Sequence, residues 1–261
     1  MSTFQDLRTV RARIGSFTTM IERDAQTRRE IAYFKANIGK VTTADALLKD
    51  TKLYHFMMEA FGLESQIFAK ALMRKVLSEG VTDEDAMANK MTDPKFKEIA
   101  TICGFKEAGG TSLKSPVVVQ AIVDRLVRTR LEVKQGEQNE AVRLALYFER
   151  KAPSVSNWYQ VLGDKAMAEV ALTALGIPRE MLASDIDKIK AKLEAKFDIK
   201  DFKDPAKLET FIGRFAAMSD LGKGLSGTSA PAVPQITLSR RASVVAIDPS
   251  ITLALLKVPR F

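Results

Sequence analysis

One 31-residue stretch occurs twice in this sequence, and that duplication limits the folds open to it more than any other feature. Residues 33–63 read YFKANIGKVTTADALLKDTKLYHFMMEAFGL and residues 147–177 read YFERKAPSVSNWYQVLGDKAMAEVALTALGI. They align without a gap at a shift of 114 positions, with seven identical pairs: Tyr33/Tyr147, Phe34/Phe148, Val41/Val155, Leu48/Leu162, Asp50/Asp164, Ala60/Ala174 and Gly62/Gly176. Most other differences exchange one apolar residue for another, as in Leu53/Met167, Phe56/Val170, Met58/Leu172 and Phe61/Leu175. Seven identities are too few to carry the argument, so the weight falls on shared punctuation.

That punctuation is helical. Thr42 and Ser156 follow the paired valines as N-cap residues of a short helix bearing Leu47 and Leu48 in one copy, Val161 and Leu162 in the other. Asp50 and Asp164 then stand where a second N-cap is needed; a carboxylate there accepts from free backbone N–H groups and faces the positive helix end. Leu53, Phe56, Met57 and Ala60 follow at helical spacing, matched by Met167, Val170, Ala171 and Ala174. Gly62 and Gly176, each followed by an apolar residue, read as Schellman-type stops. Upstream, Gly39 reads as a C′ glycine and Pro153 as the equivalent break.

Around the copies the pattern stays helical. Residues 1–22 and 18–37 read as helices, with Leu7, Val10 and Ile14 on one face and Ile31, Phe34 and Ile38 on another. The copies diverge after their glycines, into a helix over 65–77 with a restart near Asp83-Glu84-Asp85, and a helix over 185–197. They converge again at Asp93-Pro94 and Asp204-Pro205, where Asp as N-cap and Pro as N1 start a helix. The closing helices carry Phe96, Ile99, Ile102 and Phe105, against Leu208, Phe211, Ile212 and Phe215. Ser115-Pro116 opens a connecting helix that Gly136 interrupts. Residues 219–235 read as a Gly/Ser/Pro linker. Beyond it Ser239–Ile247 is a short strand candidate, and Asp248-Pro249-Ser250 a helix start. The expected architecture is all-α: a first copy over 1–105, a loop and connecting helix over 106–136, a second copy over 137–218, the linker over 219–235 and an apolar tail over 236–261.

Composition removes much catalytic chemistry. Cys103 is the lone cysteine and His55 the lone histidine, so an internal disulfide, a Cys-based metal cluster and His-based acid–base work lose their usual groups. No cofactor and no metal are expected. Asp83, Glu84 and Asp85 read as helix-start carboxylates without EF-hand spacing. Gly222-Lys223-Gly224 and Gly109-Gly110 lack the surroundings of phosphate-binding loops and read as loop punctuation. Ser239-Arg240-Arg241-Ala242-Ser243 matches a basophilic kinase site, a pattern short enough to arise by chance. The net charge of +8 is spread out: residues 106–136 carry six basic and three acidic side chains. A solvated mixed-charge surface is therefore favoured over a nucleic-acid footprint. No window approaches the roughly 20 apolar residues that span a bilayer, so no membrane insertion is expected. The basic N-terminus lacks an apolar signal core, which makes cytoplasmic residence the expectation.

The candidate partner-binding residues are Trp158, Tyr159, Ile251 and Leu255. Trp158 replaces Ala44 in the second copy, with Tyr159 beside it; such an aromatic is core filling or a partner anchor. Ile251 and Leu255 lie in the tail DPSITLALLKVPRF, which docks on its own domain or on a partner. His55 has Glu169 as its counterpart and Cys103 has Arg214, so an exposed histidine is expected and burial of the cysteine is not required.

The YF…LLKD…AFGL unit, the MTDPKF segment, its echo KDPAKLETFIGRF and the tail RRASVVAIDPSITLALL together resemble an uncharacterised alphaproteobacterial family of rhizobial type. Its members are often encoded among flagellar genes. The resemblance implies an α-helical protein linked to flagellar assembly or function, with no activity and no functional residues to carry over. The leading expectation is a non-enzymatic structural or adaptor protein with protein partners. A nucleic-acid-binding regulator is the alternative. Export through the flagellar secretion route stays open.

Overall fold

The computed structural model describes residues 2–178, 180–181 and 185–227, with backbone alone from 223 onward. All regular structure among them is helical. In chain order the α-helices are α1 (Thr3–Ala12), α2 (Ile14–Arg23), α3 (Ala25–Asn37), α4 (Ala44–Lys49), α5 (Thr51–Ala60), α6 (Lys70–Glu79), α7 (Met87–Lys90) and α8 (Pro94–Cys103). They continue as α9 (Phe105–Ala108), α10 (Pro116–Gly136), α11 (Glu140–Lys151), α12 (Trp158–Gly163), α13 (Lys165–Ala174), α14 (Ile186–Glu194) and α15 (Pro205–Gly227). Residues up to 220 form a first compact unit, and the chain divides after it.

Helix α10 is the spine of the first unit, packing on α2, α5 and α11; α11 in turn packs on α1 and α13. The inward faces of α10 (Ile122, Val123, Leu126, Val127, Leu131) and α11 (Leu144, Ala145, Phe148) therefore share one continuous buried cluster with both duplicated stretches. Apolar residues at helical spacing must find a second helix to leave water, and a central helix with apolar residues on more than one side serves several neighbours at once. Asp220 closes the unit: the Ser2 hydroxyl and the Thr3 amide both donate to its carboxylate, at 2.8 and 2.9 Å.

Local chemistry sets the boundaries. Asp50 accepts from the amides of Lys52 and Leu53, and Asp164 from those of Ala166 and Met167. Gly62 and Gly176 adopt φ of +67° and +63°. The amides of Leu63 and Ile177 donate back to the Met58 and Leu172 carbonyls at 2.8 Å in each case, which is the Schellman geometry.

Several expectations need correction. Thr43 and Asn157, one residue later than read from the sequence, cap α4 and α12. Gly39 is not a left-handed stop; it lies inside a 3-10 turn, Ile38–Lys40, which matches the turn Ala152–Ser154 around Pro153. The helix expected over 18–37 breaks at Asp24, whose carboxylate accepts from the amides of Gln26 and Thr27 and so starts α3 afresh. The helix expected over 65–77 is a 3-10 turn, Glu64–Gln66, followed by α6. Near Asp83 no helix restarts until α7. Phe105 falls outside α8, because Gly104 turns left-handed at φ +53°. The linker read from 219 onward begins inside α15, which continues to Gly227. The strand and helix read over 239–250 and the tail lie outside the described residues.

Candidate functional site

The two stretches that align in sequence, called copies for short, place the same polar pair in different surroundings. In the first, the Tyr33 hydroxyl of α3 donates to Asp50 Oδ2 at 2.8 Å, while Asp50 Oδ1 caps α5. In the second, the Tyr147 hydroxyl of α11 donates to Asp164 Oδ2, while Asp164 Oδ1 caps α13. Tyr147 is 8% exposed and Asp164 only 1%, whereas Tyr33 and Asp50 are half-buried. Burial, reinforced by the Asp164 charge and the hydrogen bond, pushes the Tyr147 phenol far above its ordinary range. The Tyr33 phenol is raised as well, chiefly by its bond to Asp50.

The cover over the second pair comes from the segment that closes the first copy. Lys95, in the first turn of α8, lies 3.3 Å from Asp164 Oδ2 and 5.5 Å from the Tyr147 ring centroid. Glu98, one turn on, pairs with Arg125 of α10 and Lys151 of α11. Burial raises the Glu98 carboxyl, yet the two cations outweigh it and hold it below its ordinary range. Gly163 is required by close approach: a Cβ there would lie 2.2 Å from the Thr92 carbonyl oxygen. What remains between the copies is a cavity of about 100 Å³, which Phe61, Gly62 and Lys95 of the first copy share with Arg143, Tyr147 and Ala166 of the second.

In the first copy the matching positions, Arg29, Tyr33 and Lys52, line a groove of about 780 Å³ between α3 and α5. Its floor is the stacked pair Phe34 and Phe56, with ring centroids 4.0 Å apart. Lys52 Nζ stands 4.9 Å from the Tyr33 ring centroid. Arg130 of α10 closes one side, bonded to Glu59 at 2.7 Å and Glu30 at 2.6 Å. His55 lies exposed on the rim. This groove is apolar at its base and charged at its edge.

Trp158, weighed as a partner anchor, is 1% exposed and so is unavailable as one. It packs edge-on to Phe202, in an aromatic cluster with Phe148, Phe197 and Phe211. A ring gained where the first copy has alanine fills second-copy core. Tyr159 next to it is 45% exposed, donates to Asp187 at 2.6 Å and lies under Lys190. Ile251 and Leu255 lie outside the described residues. Cys103 is fully buried despite its Arg214 counterpart, and burial pushes its thiol up beyond any nucleophilic range. Among the described residues no group of three or more His, Cys, Asp or Glu side chains is placed to hold a metal ion, and no helix is long and apolar enough to cross a membrane. The groove itself escaped sequence reading. Its signal was the exchange of Lys52 for Ala166 beside an identical tyrosine.

A crystal structure of a protein from Agrobacterium tumefaciens, solved by a structural genomics consortium, is similar over 85% of this chain and 96% of its own. The two share 34% sequence identity and superpose with a TM-score of 0.78. No curated protein matches. The model of a family described as "Protein of unknown function (DUF1217)" matches residues 60–208, from the end of α5 to the first turns of α15, and the chain belongs to that family.

Proposed function

We propose that this chain is a non-enzymatic structural or adaptor protein, built from two tandem copies of one helical unit, which binds other proteins and acts in the flagellum. The observation that carries the binding reading is the α3–α5 groove: positions covered in the second copy by Lys95 and the Phe61–Gly62 turn stand uncovered in the first. The tandem reading is supported by the paired caps, turns and Tyr–Asp hydrogen bonds at a constant shift. The flagellar assignment rests on the sequence resemblance, and cytoplasmic residence is part of the same proposal.

The nucleic-acid alternative has the net charge as its support. Arg125, Arg130, Arg150, Lys95 and Lys151 are all engaged by carboxylates, which reduces the free positive surface.

A tagged pull-down from the native host, with nuclease treatment, tests the reading. Recovery of basal-body, hook or export components is expected, together with impaired swimming on gene deletion. Normal filaments and normal swimming in the deletion strain, with only nucleic-acid-dependent capture, would sink it.

A further inference from the structure

We infer that the α3–α5 groove receives the second-copy end of another molecule of this chain, giving head-to-tail association. The inference rests on the tandem-copy reading and names the partner of the groove.

Within one molecule the first copy presents two elements to the second: the turn at the end of α5 and the first turn of α8. Gly62 and the Asp93-Pro94-Lys95 segment are half-buried there. The same two elements recur at the end of the second copy, as the turn after α13 and the first turn of α15. Among the described residues nothing covers them there: Gly176, Pro178, Asp204, Pro205 and Ala206 are all exposed. One end of the unit therefore carries an unfilled groove, and the other carries the uncovered counterpart of what fills the internal one. Repeat units bury their faces against neighbours of their own kind, and a contact between unlike ends propagates from molecule to molecule.

The lysine at the seat points the same way. Inside the molecule Lys95 enters over Tyr147 and finds Ala166 beside it. At the free end the residue after Asp204-Pro205 is Ala206, and the waiting groove already holds Lys52 over Tyr33. Each seat thus has one lysine over its tyrosine, supplied by the incoming element in one case and by the groove in the other. Lys49 stands where the internal seat has Gly163, so its Cβ holds the incoming segment off, and its removal deepens the seat.

Sedimentation velocity of the full chain over a concentration series tests this. The wild type is expected to add mass beyond a dimer as concentration rises. Ala206→Arg, on an exposed position and facing Lys52, is expected to weaken association about tenfold or more through like-charge contact. Lys52→Glu in the same chain is expected to restore it, and Lys49→Gly to tighten it. Unchanged helical circular dichroism and melting of Ala206→Arg ensure that folding is not the cause. A plateau at a dimer, or association that Ala206→Arg leaves untouched, overturns the inference. So does a monomer at every concentration; if that monomer still captures flagellar components, the adaptor reading survives while this one falls.

Discussion

Tyr33 with Asp50, and Tyr147 with Asp164, are the same pair of side chains joined by the same hydrogen bond at the same helix start. One pair faces a groove and the other is sealed under α8. The difference shows that identical local chemistry acquires a different energetic role from its cover. Half-buried beside the groove, the Asp50 carboxylate is one helix cap among many. Under Lys95 the Asp164 carboxylate is a buried charge that must keep all its partners: two backbone amides, a phenol and an ammonium group.

The largest expected effect separates the two cores. Trp158→Ala should cost about 3–5 kcal/mol, since it removes a fully buried ring that packs on Phe202, the hub of the second-copy aromatic cluster. The neighbouring Tyr159→Ala should cost far less, because its ring is exposed. Urea denaturation of both variants measures the contrast; similar costs would mean that Trp158 is not core.

Asp164→Ala comes next. It strips two amides and a buried phenol of their acceptor and leaves Lys95 with Asp93 alone, for about 3 kcal/mol, whereas Asp50→Ala should cost about 1 kcal/mol as a lost cap. Equal losses by the same denaturant series would break the comparison.

Alkaline titration sharpens it further. The folded pKa of Tyr147 is raised, first by burial and then by the Asp164 charge. The folded state thus holds a proton that the unfolded chain releases at about pH 10. Its contribution is fully present below that pH and declines as pH rises toward the folded pKa. Tyr147→Phe should therefore flatten the alkaline loss of stability, and Tyr33→Phe should change it much less, because its phenol stays in contact with water. Melting temperatures of the three proteins across pH 9 to pH 11 (a window set at about the ordinary tyrosine pKa) provide the check.

Much of the helical scaffold was readable because short polar residues have local work to do. Asp50, Asp164, Asp93 and Asp204 accept from the amides ahead of them, and Gly62 and Gly176 reach positive φ, whatever lies far away in sequence. Asp24 follows the same rule, but it lies in the polar stretch ERDAQTRRE with no glycine or proline to mark a break, and its cap passed as helix interior. Burial was less legible, because it depends on what the chain brings in from a distance. Nothing near Cys103 in sequence announces that α6 packs on its helix, and nothing near Gly163 announces the Thr92 carbonyl. The groove was invisible for the same reason. Its existence depends on which copy has a neighbour, and the two copies differ there in a handful of residues, such as Lys52 against Ala166.

The most direct test of this account is a pair of double-mutant cycles on folding stability, Tyr147→Phe with Asp164→Asn and Tyr33→Phe with Asp50→Asn. Each cycle isolates the coupling of one pair from the cost of each separate change. The sealed pair should couple by about 1–3 kcal/mol, as expected for a buried bond to a charged group, and the groove pair by clearly less. Equal coupling in the two copies would contradict the claim that cover, rather than residue identity, distinguishes them.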